Sequence, residues 1–160
     1  MIVQIIMALV QIFIAIVLSA GALYTGISML DRLTPNIDEW KEIKKGNLAV
    51  GVFYTAVMVS LIILVAPSIS DLLGYLVMPL QVVALLLSFL NYIITLIIGI
   101  VVIYFSIHVV DKLTYDLDEM EQLKKGNVAI ALIMSAAVLA ITYTVTFPLL
   151  YLLTLLKSVF

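Results

Sequence analysis

Four stretches of this chain, residues 2–30, 48–66, 80–110 and 128–156, contain no Asp, Glu, Lys or Arg. Crossing the hydrocarbon core of a bilayer takes about 20 consecutive apolar residues, and each stretch is of that order or longer. The chain is 65% hydrophobic and 11% charged, with a mean hydropathy of +1.29, whereas a soluble domain carries about 25% charged residues. A chain of 160 residues cannot shield so much apolar surface from water. The expected class is therefore an all-α polytopic membrane protein with four transmembrane helices in one compact bundle.

The charged residues between these runs are written twice. Asp31-Arg-Leu-Thr34, Asp38-Glu39 and Lys44-Lys45-Gly46-Asn47 recur as Asp111-Lys-Leu-Thr114, Asp118-Glu119 and Lys124-Lys125-Gly126-Asn127, always 80 positions on. Residues 1–80 and 81–160 thus read as two tandem two-helix repeats. The first helix, expected over about residues 2–31, is longer than a ~30 Å core needs and must tilt or project. It lacks the positive start of a signal peptide, and its repeat mate is internal, so it is expected to be kept as a mature helix. Gln11 and its mate Asn91 lie 20 residues before their aspartates, about 30 Å along a helix axis. They are expected to snorkel or pair at the opposite membrane edge.

Leu33-Thr34-Pro35 breaks the first helix, because proline disfavours helical geometry in the residue before it. Asn36-x-x-Glu39 and Asp116-x-x-Glu119 read as capping boxes, with Asp38 and Asp118 adding negative charge at the positive end of the helix dipole. This predicts second helices that start near Ile37 and Leu117 and continue through Lys-Lys-Gly-Asn into the membrane. Residues 67–79, with Ser68 or Ser70 as a cap, read as a short interfacial helix. The tail from Phe147 either matches it or extends the last helix.

Of the basic residues, Arg32, Lys41, Lys44, Lys45, Lys112, Lys124 and Lys125 fall at the hairpin ends, and Lys157 falls on the other side. The positive-inside rule places the hairpin ends in the cytoplasm and both termini outside. Trp40 suits the inner aromatic belt, and Tyr75, Tyr143 and Tyr151 the outer one. Both repeats face the same way. They are expected to be parallel repeats about a twofold axis along the membrane normal, not inverted repeats.

Several side chains are shared by both copies. Tyr24/Tyr104, Ile27/Ile107 and Asp31/Asp111 share a helix face at spacing i, i+3, i+7. Gly46/Gly126, Ala49/Ala129 and Ala56/Ala136 read as a packing seam, since small residues let membrane helices approach closely. Tyr24, Asp31, Thr34 and Asn47, with Tyr104, Asp111, Thr114 and Asn127, form a candidate polar cluster at the inner mouth of the bundle. It reads either as a hydrogen-bonded clamp or as an ion or solute vestibule. A short connection makes the two helices of each unit antiparallel neighbours. Asn47 is therefore expected beside the Tyr24–Asp31 face, and Asn127 beside the Tyr104–Asp111 face. Lys44, Lys45, Lys124 and Lys125 read as anchors for anionic lipid, each worth about 1 kcal/mol. His108, one turn before Asp111, is a candidate titrating group; its mate is Ser28.

No charged side chain falls mid-membrane, which argues against proton- or sodium-coupled transport and against a small multidrug exporter. No nucleotide-binding loop, HExxH or Ser/His/Asp set is present, and cysteine is absent. No catalytic residue, metal site or cofactor is expected, and no basic surface suits nucleic acid.

The pattern Asp-x-Leu-Thr, acidic residues, then Lys-Lys-Gly-Asn-x-Ala, occurring twice in four spans, resembles the YjfL-type domain-of-unknown-function family. Its most specific element is Lys-Gly-Asn-x-Ala at 45–49 and 125–129. The resemblance implies tandem two-helix units in an inner membrane, no settled activity, and a link to membrane-stress systems containing PspA-like coat proteins. In the second copy Gln122 stands where the first has Glu42. The expected function is a non-enzymatic membrane-integrity or scaffold role, with cytoplasmic hairpin ends engaging membrane lipid or a protein partner. The alternative is a small channel or facilitator, with a homodimer supplying eight helices.

Overall fold

In the computed structural model, residues 1–34, 37–76, 81–114 and 117–159 are described, apart from the side chains of Leu33, Leu113 and residues 157–159. Pro35, Asn36, Asp116, residues 77–79 of the expected interfacial helix and the Lys157 side chain, all used above, therefore lie outside the description. The described chain is helical: α1 (Ile2–Leu33), α2 (Glu39–Lys44), α3 (Leu48–Gly74), α4 (Val82–Leu113), α5 (Glu119–Lys124) and α6 (Val128–Val159). The helices α1, α3, α4 and α6 are long and apolar enough to cross a membrane.

Two local expectations are corrected at the hairpin ends. The observed N-caps are Asp38 and Asp118, whose carboxylates accept from the amides of Lys41 at 3.0 Å and Glu121 at 2.9 Å. The second helix of each unit thus starts at Glu39 or Glu119 rather than near Ile37 or Leu117. Nor does it run on into the membrane. Gly46 has φ +83° and Gly126 φ +79°, the left-handed conformation that glycine adopts without the steric cost a side chain imposes. The amide of Gly46 donates to Ile43 O and that of Asn47 to Glu42 O; Gly126 and Asn127 do the same to Leu123 O and Gln122 O. This paired return of amides to the last turn is a Schellman stop. Asn47 then caps α3, its side-chain oxygen accepting from Val50 N at 3.3 Å. Lys-Lys-Gly-Asn is therefore a helix end followed at once by a helix start.

The interfacial helix expected at 67–79 is also corrected. α3 continues through Pro67 to Gly74, because its last turns have partners. Ser68, Ile69 and Leu72 are buried, and the Ser68 hydroxyl bonds Thr95 at 2.8 Å instead of capping a new helix. α6 likewise runs through Pro148 to Val159, so the tail extends the last helix.

α3 is the centre of the bundle, packed against α1, α4 and α6. Leu61, buried in α3, sits between two glycines. A methyl at Gly26 of α1 would collide with Leu61, and one at Gly99 of α4 would meet it at 3.1 Å. Polar ties join the ends away from the hairpins. Gln11 donates to Leu73 O at 2.9 Å, Ser88 to Asp71 at 2.7 Å, and Tyr92 to Leu18 O at 2.9 Å. Gln11 thus pairs at the edge, while its mate Asn91 is buried with its amide nitrogen unpartnered.

Like helices run in like directions, since both hairpin ends meet at one end of the bundle (below). The twofold relation is not seen, however. A 180° rotation exchanging the units would carry the α3–α4 interface onto an α6–α1 interface. No comparable α1–α6 interface exists among the described residues, whereas α3 packs extensively on both α4 and α6. The units instead stand side by side, α4 beside α1 and α6 beside α3.

Candidate functional site

Each hairpin end gathers a small set of polar groups. Thr34 closes α1: its amide and its hydroxyl both donate to Leu30 O, at 2.9 and 2.8 Å. Thr114 does the same to Val110 O, at 3.1 and 2.8 Å. Capping by Asp38 and Asp118 turns the next residues inward, leaving Glu39 5% and Glu119 2% exposed. Burial raises the Glu39 carboxyl above the usual carboxylate range; a bond to Thr34 opposes this, and the nearby Asp31 adds to it. Burial likewise raises Glu119, with Asp111 and Asp118 reinforcing the shift. Each unit therefore holds a carboxyl pair, Asp31–Glu39 and Asp111–Glu119.

The Thr34 hydroxyl has one proton and two oxygens within reach, Leu30 O and the Glu39 carboxyl. The hydroxyl donates to both, its proton shared between the backbone carbonyl and the carboxyl. Glu119 has no such partner, and its Oε1 is buried without a hydrogen bond.

The two units differ beneath their carboxyl pairs. In the first, Tyr54 fills the space, its ring edge-on to Trp40 at 5.7 Å. A crevice of about 10 Å³ lies there, between Leu23, Gly26, Leu30 and Leu61. In the second, Met134 stands at the position of Tyr54, and a pocket of about 190 Å³ opens, lined by Tyr104, His108, Asp111, Glu119 and Met134. Tyr104 stacks on His108 at 6.2 Å, with the rings 10° from parallel.

The predicted cluster is thus partly assembled. Asp31 and Thr34 join Glu39, and Asp111 joins Glu119, Tyr104 and His108. Tyr24 does not take part: it is 76% exposed and faces outward. Neither asparagine lies where expected. Asn47 donates across the units, to Leu123 O at 2.9 Å and Lys124 O at 3.1 Å, and within its own unit to Glu42 at 3.4 Å. Asn127 donates to Gln122 of its own unit at 3.0 Å. The expected depth match failed because Gly46 and Gly126 break the helix and hold each asparagine, half-buried, at the hairpin end. Glu39 and Glu119, read from sequence only as capping acids, are the residues that were missed. Their signal was their recurrence beside the shared aspartates.

The four lysines lie on the outer surface of this end. Lys45 pairs with Glu42 at 2.6 Å and Lys125 with Glu121 at 2.7 Å, while Lys44 and Lys124 are exposed. Hydrogen bonds from Lys45 and Asn47 hold Glu42 below the usual range. Among the described residues, no group of three His, Asp or Glu is placed to hold a metal ion.

The doubled hairpin also decides the family. The family model described as Domain of Unknown Function (DUF350) matches the chain twice, over residues 4–96 and 84–159. The chain belongs to the DUF350 family. No curated protein and no solved structure matches it. In DUF350 terms the chain is a tandem pair, and each match covers one hairpin end with its Schellman stop and carboxyl pair.

Proposed function

We propose that this protein is a non-enzymatic membrane scaffold whose hairpin ends form a cytoplasmic platform for anionic lipid or a protein partner. The observation that carries this reading is the bridge from Asn47 to the carbonyls of Leu123 and Lys124. It ties two capped, lysine-bearing hairpin ends into one surface. The spanning helices below are joined by apolar packing, with Leu61 wedged between glycines. The excess of lysine at this end supports a cytoplasmic orientation. Exposed Lys44 and Lys124 are free to meet lipid phosphates.

The test uses the full chain reconstituted into vesicles with and without anionic lipid. Native mass spectrometry should show anionic lipid retained by the wild type, and retention should fall when Lys44 and Lys124 are changed to Gln. A parallel flux assay with common ions and small solutes should show no leak above empty vesicles. Solute-selective flux that responds to changes at Tyr104 or Glu119 would overturn the scaffold reading in favour of a channel or facilitator.

A further inference from the structure

The two units meet through unlike faces. On α3, Ala49, Phe53, Ala56 and Ser60 share one face and are buried. Their mates on α6, Ala129, Ile133, Ala136 and Ala140, share the same face and are exposed. The sides of α3 turned to α1 and α4 are different ones. Tyr54, Val57 and Leu61 line the α1 seam, while Leu64 and Ser68 meet Gly99 and Thr95 of α4. The 49–60 face is therefore the one covered by α6. In return α6 buries Ala131, Ser135 and Thr142, whose mates on α3, Gly51, Thr55 and Ile62, are half-buried or exposed. Unit one presents its small-residue face and unit two receives it on another.

This leaves one face of each kind uncovered. Among the described residues, nothing covers the presenting face of unit two along Ala129–Ala140. Unit one has an open groove beside Ile43, Gly46, Gly51 and Thr55. The matching residues of unit two, Leu123, Ala131 and Ser135, are buried, with the Asn47 side chain seated next to Gly126. The groove on unit one is thus the open counterpart of a seat filled within the chain. The two asparagines tell the same story: Asn47 donates into the seat of unit two, while Asn127 donates to Gln122 of its own unit.

We propose that a second copy of this chain continues the row. Its groove at Ile43, Gly51 and Thr55 receives the Ala129–Ala140 face of the first copy, and Asn127 donates to the carbonyls of Ile43 and Lys44. The contact is heterologous, so the row closes as a ring or extends, according to the rotation at each step. Parallel repeats make this compatible with a bilayer, because every added unit points the same way. Lipid chains could cover the apolar part of these faces, but they offer no acceptor for the Asn127 amide and no complement to a small-residue face, which favours close helix approach.

The chain has no cysteine, so engineered thiols report cleanly in native membranes. Differently tagged Thr55→Cys and Ala136→Cys chains, expressed together, should oxidise to a product of doubled mass carrying both tags. Neither should do so alone. The internal counterpart, Ala56→Cys with Ser135→Cys in one chain, should close without a change in mass. An Ala136→Cys dimer formed without the Thr55→Cys chain would show a like-to-like interface and overturn the proposal. So would a closed internal pair with no mixed product. Failure of the internal pair to close would remove the face assignment from which the proposal is built.

Discussion

The asymmetry of the two asparagines gives a measurable difference between substitutions that look identical in sequence. Asn47→Ala removes the N-cap of α3, worth about 1 kcal/mol, and the donors to Leu123 O and Lys124 O. Net hydrogen bonds are worth about 0.5–1.5 kcal/mol each, and partial exposure here favours the lower half of that range. The expected loss is about 2–3 kcal/mol. Asn127→Ala removes an equivalent cap, which accepts from Ile130 N at 3.4 Å, and one bond to Gln122. Its expected loss is about 1–2 kcal/mol on the same principles. Asn47→Asp separates the two contributions, keeping the cap acceptor and losing the bridging donors beside Glu42. For a chain of this size the gap between the two alanine variants corresponds to about 2–4 °C in melting temperature, readable by thermal unfolding in nanodiscs. Equal losses for Asn47→Ala and Asn127→Ala, or an Asn47→Asp variant as stable as wild type, would show that the bridge contributes nothing.

Three further outcomes are expected. Glu119 keeps its proton in the folded chain at pH values where the unfolded chain, near 4.5, has lost it. Stability should therefore fall as pH rises from about 4.5 through the folded value and be flat below, and Glu119→Gln should melt higher than wild type at neutral pH with a weaker pH dependence; a lower melting temperature at neutral pH would contradict this. Nothing lies within 4 Å of a methyl placed at Gly46, so Gly46→Ala should cost about 1–2 kcal/mol from the left-handed backbone alone, with no change in the packing seen by proton-detected spectra. Leu61→Ala should cost about 2–5 kcal/mol, and adding Gly26→Ala should recover part of that loss by placing a methyl where the leucine stood; strictly additive losses would refute the shared-space reading.

The spans, the repeat and the common direction of the units were legible because they depend on long runs and exact spacing, which tertiary contacts do not override. The boundaries at 45–48 were harder. Gly46 and Asn47 fit either a continuing helix or a stop, and the deciding bonds, from Gly46 and Asn47 back to Ile43 and Glu42, are backbone bonds that side-chain identity only permits. Pro67 read as a break, yet the burial of Ser68 and Leu72 keeps α3 intact beyond it. The candidate site was half legible. Asp31 and Asp111 were named for their recurrence, but the inward turn of Glu39 and Glu119 follows from a cap at Asp38 and Asp118, two residues later than the sequence suggested. The pocket in unit two could not be read from the shared residues at all. It arises where the copies differ, at Tyr54 and Met134.

The central helix is also the shortest of the four. α3 has 27 residues, while α1, α4 and α6 have 32 each. At about 1.5 Å per residue the surrounding helices exceed α3 by roughly 7 Å. An upright α3 comes closest to the thickness of an ordinary bilayer, and the helices around it must lean, or the surrounding lipid must stretch, to take up the difference. Each ångström of such mismatch costs a fraction of a kcal/mol. A thicker membrane relieves that cost for three helices at once and a thinner one raises it, so membrane thickness acts on this bundle as a load, borne by the outer helices around a fixed post.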